Sequence, residues 1–192
     1  MLEARYGEGG SLRWTLHPSG WLRLEFEYRA EGLHDFHGLV FALPQEQIRR
    51  FRWLGDGPAR VWGNRLSGGT LGVWTKEAAA STPLRSAAEP KLAGFYSGVY
   101  WAELQTPEGE LTLAFESDGL YLGLGSPQFP ADALSAVAAT VPPGIGLYRA
   151  IPAIGTKFKP AAELGPQSRP QEVGDVQRGV VWLRLDSPEA ER

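Results

Sequence analysis

The chain contains no cysteine and a single methionine in 192 residues. The first absence removes disulfides, thiol nucleophiles, iron–sulfur clusters and Cys-ligated zinc, and leaves the compartment open. No apolar run reaches the roughly 18 residues of a membrane-spanning helix, so no membrane partner is expected. Basic charge is not in excess: 19 Lys and Arg stand against 22 Asp and Glu, a formal charge of −3. Such a balance offers no field for a nucleic-acid backbone, and no nucleic-acid partner is expected. The start, MLEARYGEGG, has neither the basic end nor the apolar stretch of a signal peptide. The length is too short for a catalytic barrel of roughly 250 residues. HExxH, GxSxG and a phosphate loop are all missing, and Gly55-Asp56-Gly57 runs into Pro58 rather than into a helix. No cofactor is implied.

What the chain does have is turn chemistry and rings. It carries 24 Gly, 15 Pro, 7 Trp, 6 Tyr and 8 Phe. Glycine and proline far exceed their usual shares, and the aromatics are too many for a disordered segment. The dominant period is two. Leu12, Trp14 and Leu16 alternate with polar neighbours, His17-Pro18-Ser19-Gly20 reads as a turn, and Leu22, Leu24, Phe26 and Tyr28 return opposite Arg23, Glu25 and Glu27. This pattern predicts a half-buried antiparallel hairpin. Further strands are expected at 38–43, 48–54, 70–75, 96–104, 111–116, 120–124, 146–149 and 178–185, with 96–124 forming a meander around Pro107-Glu108-Gly109 and Ser117-Asp118-Gly119. Helical signal is confined to Pro130–Thr140. The expectation is one all-β, antiparallel β-sandwich domain over residues 1–192. It has long loops near 76–94 and 157–175, the second read as a mobile excursion, and SPEAER as a frayed terminus.

Candidate chemistry is sparse. His34-Asp35-Phe36-His37 spaces two imidazoles for a metal site with Asp35 or Glu31 as third ligand, but a polar loop between strands is the simpler reading, and no metal site is assigned. Glu103, mid-strand beside Trp101, is a carboxylate positioned to project from a sheet; with His34 or His37 it would make the acid/base couple of a sugar mutarotase. The densest string is Phe51 to Leu66, with Trp53, Gly55, Asp56, Gly57, Trp62, Asn64 and Arg65 around a turn. Aromatic faces stack on sugar C–H groups while planar Asp, Asn and Arg groups share hydroxyls; the same glycines also make a plain tight turn.

Trp53-Leu54-Gly55-Asp56-Gly57-Pro58 through Asn64-Arg65-Leu66 resembles the W-x-G-x-G-P-x-E-N-Y-x-D-R signature in the C-terminal domain of family 2 β-galactosidases, which is also the small chain of two-chain β-galactosidases. Leu39–Pro44 is similar to that domain's G-L-x-F-x-L-P strand, and Leu71-Gly72-Val73-Trp74 follows in order. Gly119–Leu122 with Phe129–Leu134 resembles F-x-F-S-x-x-x-Y-T-x-E-x-L, and Val141-Pro142-Pro143 to Ile154-Gly155 resembles the L-P…N-I-D…M-G-x-G-G segment. The likeness has departures. The family's E-N-Y-x-D-R reads Arg60-Val61-Trp62-Gly63-Asn64-Arg65, its R-P-Q-E-x-G reads Glu89–Gly94, and its G-G-D-x-S-W reads Gly155–Lys159, with Phe158 standing for the pocket tryptophan.

The resemblance implies a supersandwich related in fold to sugar mutarotases, packed beside a catalytic barrel domain or subunit that supplies both catalytic carboxylates. The chain is then expected to be a module of a glycoside hydrolase, non-catalytic on its own, with the barrel and carbohydrate as partners. The expected carbohydrate-binding residues are Trp62 and Phe158 as stacking rings, Asn64 and Arg65 as hydroxyl partners or turn braces, and Lys157 beside Phe158. The alternative is a free-standing sugar mutarotase or epimerase with Glu103 as base and a histidine as acid.

Overall fold

A computed structural model of the protein describes residues 1–6, 9–43, 47–78, 92–125, 142 and 144–187. The period-two pattern becomes antiparallel strands: β1 (Leu2–Tyr6), β2 (Gly10–Leu16), β3 (Leu22–Arg29), β4 (Gly32–His34), β5 (His37–Phe41), β6 (Arg50–Gly57) and β7 (Thr70–Glu77). The second half adds β8 (Gly94–Tyr96), β9 (Trp101–Thr106), β10 (Gly109–Phe115), β11 (Tyr121–Leu124), β12 (Ile145–Ala150), β13 (Gln171–Val173) and β14 (Val176–Asp186). An eight-stranded sheet runs β1-β2-β3-β14-β10-β9-β6-β7, a four-stranded sheet runs β5-β12-β11-β8, and β13 pairs with β4. The protein is an all-β sandwich. Among the described residues no helix is long and apolar enough to cross a membrane.

The sandwich exists because both sheets have an apolar face to hide. From the large sheet Leu24, Phe51, Trp53, Leu104, Leu113 and Val181 point inward, and from the small sheet Tyr96, Leu122, Leu124 and Leu147 meet them in one cluster. Phe51 and Trp53 stack at 4.4 Å, and Tyr96 packs edge-on against both, at 4.7 and 5.0 Å. Each such side chain removed from water contributes about 1.5–3 kcal/mol.

The outer faces differ. That of the large sheet meets solvent with Arg, Glu, Thr and Trp. That of the small sheet is covered by a second cluster, in which Val61, Trp62, Ile151 and Ile154 lie over Phe95 and Tyr148. Tyr148 fits there because Gly38, Gly123 and Gly146 leave it a trough. A Cβ at Gly123 would stand 2.5 Å from the Tyr148 ring, one at Gly38 2.9 Å, and one at Gly146 would collide with it.

Several expectations need correction. The run 96–104 is not one strand: β8 belongs to the small sheet and β9 to the large one, and the chain crosses between them at residues 97–100, with Gly98 at φ 57°. The meander over 96–124 fails for the same reason. β9 and β10 pair as expected, but β11 pairs with β8 and β12. The segment 157–175 is not a bare excursion; it forms two 3-10 turns, Ala161–Glu163 and Pro166–Ser168, then β13, and it buries Ser168 to 5% exposure. The helix expected at Pro130–Thr140, the likenesses at Phe129–Leu134 and Glu89–Lys91, most of the 76–94 loop and the terminus after Ser187 lie outside the described residues.

Candidate functional site

The glycine-rich string is the end of β6 and the turn that follows it. Its glycines serve close approach: a Cβ on Gly55 would stand 2.9 Å from the Gly98 carbonyl, and one on Gly57 would run into the Trp74 indole. Trp74 Nε1 donates to Gly55 O at 3.2 Å. Asp56 ties this end to the β8–β9 crossover, its Oδ2 accepting from Ser97 Oγ at 3.0 Å and its N–H donating to Ser97 O at 3.1 Å. Trp53 is fully buried core.

Past Pro58 the chain crosses to the small sheet, where Val61 N–H donates to Phe95 O at 2.9 Å. A tight turn follows, with Arg65 N–H donating to Trp62 O at 2.8 Å. This turn grips the segment ninety residues downstream. Asn64 Nδ2 donates to Ile154 O at 3.0 Å and to Ser168 Oγ at 2.8 Å, and Asn64 Oδ1 accepts from Ile154 N–H at 3.0 Å. Three of the four hydrogen-bonding positions of the amide are thereby used inside the protein. Gly63 N–H donates to Pro152 O at 2.9 Å, and Arg65 Nη2 donates to Gly155 O at 3.3 Å.

Trp62 is 7% exposed, its ring edge-on to Phe95 at 5.6 Å and packed in the cluster that holds Ile151 and Ile154. The stacking role expected of Trp62 does not fit that placement, because its ring is buried in that cluster rather than on an open face. Asn64 takes the bracing role of the two expected for it.

The gripped segment presents a tip. Thr156 Oγ1 accepts from Phe158 N–H at 3.2 Å and Lys159 N–H at 3.0 Å, and Thr156 N–H donates to Lys159 O at 2.9 Å. This self-contained turn needs no outside partner to hold its shape. Phe158 projects from it at 84% exposure, with Lys157 and Lys159 exposed on either side. The structure therefore ties Arg65 to Gly155 at the base of the loop that carries Lys157 and Phe158, with Asn64 bracing residue 154 and Trp62 buried in the cluster that holds Ile151 and Ile154. Sequence reading missed Ser168 and Thr156, which carry no periodic or motif signal and matter only through the contact with a distant turn.

The acid/base candidates lie elsewhere. Glu103 faces outward on the large sheet and accepts from Arg52 Nη1 at 3.0 Å. His37 lies at the start of β5, with Nδ1 2.8 Å from the Tyr28 hydroxyl, and His34 Nε2 lies 2.9 Å from Glu31 O. Burial, then the nearby His34 and Arg149, hold the His37 imidazole below its ordinary value, and burial pushes the Tyr28 phenol up to about 12. Among the described residues no group of three or more His, Cys, Asp or Glu is placed to hold a metal ion.

One further cation has unusual surroundings. Lys76, on β7, points inward with Nζ 5.0 Å from the Tyr96 ring centre and 5.7 Å from that of Trp53, and it donates to the Tyr96 hydroxyl at 3.3 Å. Burial, with a smaller push from Arg60, lowers its ammonium to about 8. No protein-family model and no curated protein sequence matches the chain.

Proposed function

We propose that this chain is the sandwich module of a β-galactosidase-like family 2 glycoside hydrolase, supporting a catalytic barrel and contacting carbohydrate through the loop tip at Lys157 and Phe158. The observation that carries the reading is the loop itself. An aromatic ring with almost all of its surface in water stands on a turn that is braced from below by Asn64 and flanked by ammonium groups. An exposed ring on a turn of fixed backbone is open to stacking against a sugar, and adjacent cationic donors suit hydroxyl oxygens. The order of motifs from Trp53-Leu54-Gly55-Asp56-Gly57-Pro58 to Phe158 adds the family and the barrel partner.

The test is amide chemical-shift mapping of the chain titrated with galactose, lactose and glucose at millimolar concentration. Shifts centred on 156–159 with a galactoside, lost in Phe158→Ala, are the expected result. Saturating sugar that leaves 156–159 unmoved overturns the loop contact. A parallel polarimetric assay separates the enzyme alternative. The chain is expected to leave the mutarotation rate of galactose unchanged, and an acceleration abolished by Glu103→Ala would replace the module reading with a mutarotase.

A further inference from the structure

The outer face of the large sheet repeats one arrangement three times. Alternation puts Trp101 (β9), Trp182 (β14) and Trp21 (ahead of β3) on the solvent side, each half-buried. Each has a guanidinium over its ring: Arg52 at 5.2 Å from the Trp101 centroid, Arg23 at 5.7 Å from Trp182 and Arg184 at 5.5 Å from Trp21. Each arginine is in turn paired with a carboxylate. Arg52 meets Glu103 at 3.0 Å, Arg184 meets Asp186 at 2.7 Å, and Arg23 donates to both oxygens of Glu116, at 2.9 and 3.1 Å. Trp182 Nε1 also donates to Glu116, at 2.7 Å.

The register places two of these rings in line. Trp101 and Trp182 both pair across to Ala114 on β10, so they lie two strands apart with only a methyl group between them. Two strand spacings are roughly 10 Å, about the length of a disaccharide repeat in an extended chain. Val73 and Leu54 continue the same row beyond Trp101.

We propose that this face binds a neutral, extended glycan chain, with Trp101 and Trp182 as successive stacking platforms. The charge pattern selects the ligand class. Every guanidinium is matched by a carboxylate beside it, so the face offers no net attraction to phosphate backbones or acidic polymers. Glu and Asp are depleted at protein–protein interfaces, whereas here a carboxylate accompanies the arginine beside every ring. Planar donors and acceptors alternating with indoles match a polyhydroxylated chain that shows C–H faces and hydroxyl edges by turns. The arginines order the rings in advance, which lowers the entropy lost on binding. This surface is separate from the Phe158 loop and stands or falls without it.

Affinity gel electrophoresis of the whole chain in mixed-linkage β-glucan, glucomannan and arabinoxylan tests the proposal. At least one polymer is expected to retard the chain, with about a tenfold loss of affinity for each of Trp101→Ala and Trp182→Ala. Ala114→Arg, which deletes nothing and sets a long cation between the platforms, is expected to abolish retardation with an unchanged circular dichroism spectrum. Gly174→Ala, with nothing within 4 Å of the new methyl group, is expected to run like the parent. Retardation by none of the three polymers, retardation that survives in Ala114→Arg, or equal loss in Gly174→Ala overturns the proposal. So does a dimer, seen by sedimentation, that Ala114→Arg dissociates, since the face would then be a subunit contact.

Discussion

Single side chains here act chiefly by what they tie together. Asn64 bonds to the backbone of residue 154 in both directions and to Ser168. Asn64→Ala leaves a buried segment with unmatched donors and acceptors, and is expected to cost about 2–3 kcal/mol, read as a lower urea midpoint with faster hydrogen exchange at the Ile154 amide. Lys76 makes a pH argument. Below about pH 8 its ammonium is charged in the folded and unfolded chains alike. Between there and the unfolded value of 10.5 the unfolded chain keeps the proton that the folded chain has released, so folding gains as pH rises. Comparing Lys76→Met with the parent, the difference in urea midpoint is expected to move in the parent's favour from pH 7 to pH 10. A constant difference would show that Lys76 does not titrate on folding.

At the scale of elements, the trough beneath Tyr148 sets a steep local requirement. Gly146→Ala drives a methyl group into the ring and is expected to cost about 1–3 kcal/mol, seen as a fall in melting temperature. Gly174→Ala, with nothing within 4 Å, should stay within about 0.5 kcal/mol of the parent. How legible each strand was follows from the same distinction between faces. β2 and β3 have one dry and one wet side, so Leu, Trp and Phe alternate with Arg and Glu and the pairing can be read directly. β12 is buried on both sides, and its residues Ile145–Ala150 lack that alternation. β4 and β13 have three residues each, too few to show a period. The crossover at Gly98 splits what reads as one apolar run, because Tyr96 and Ala102 face the same core from opposite sheets. The string from Phe51 to Leu66 was legible as a strand end followed by a turn, but Gly55-Asp56-Gly57, which also read as a tight turn, is still strand paired with β7, and the turn falls at 62–65. Its partner at 152–168 was not, since pairing over ninety residues leaves no local trace.

Across the whole molecule the two outer faces divide the work. The small sheet's outer face is sealed by the turn at 61–65 and the segment from 151 onward, while the large sheet's is open. Trp62→Ala should therefore behave as a core truncation, costing about 3–5 kcal/mol. Phe158→Ala, removing a ring in water, should stay within about 0.5 kcal/mol of the parent. Chemical denaturation of the two variants side by side checks this, and equal losses would mean that the loop tip is packed. The sheet order has a consequence for synthesis. β14 lies between β3 and β10, yet among the described strands it is the last in chain order. Until residues 176–186 emerge, the N-terminal strands and the β10-β9-β6-β7 half each carry a bare edge able to pair with a neighbouring nascent chain. The large sheet is a keystone construction, and for most of its translation the keystone is missing.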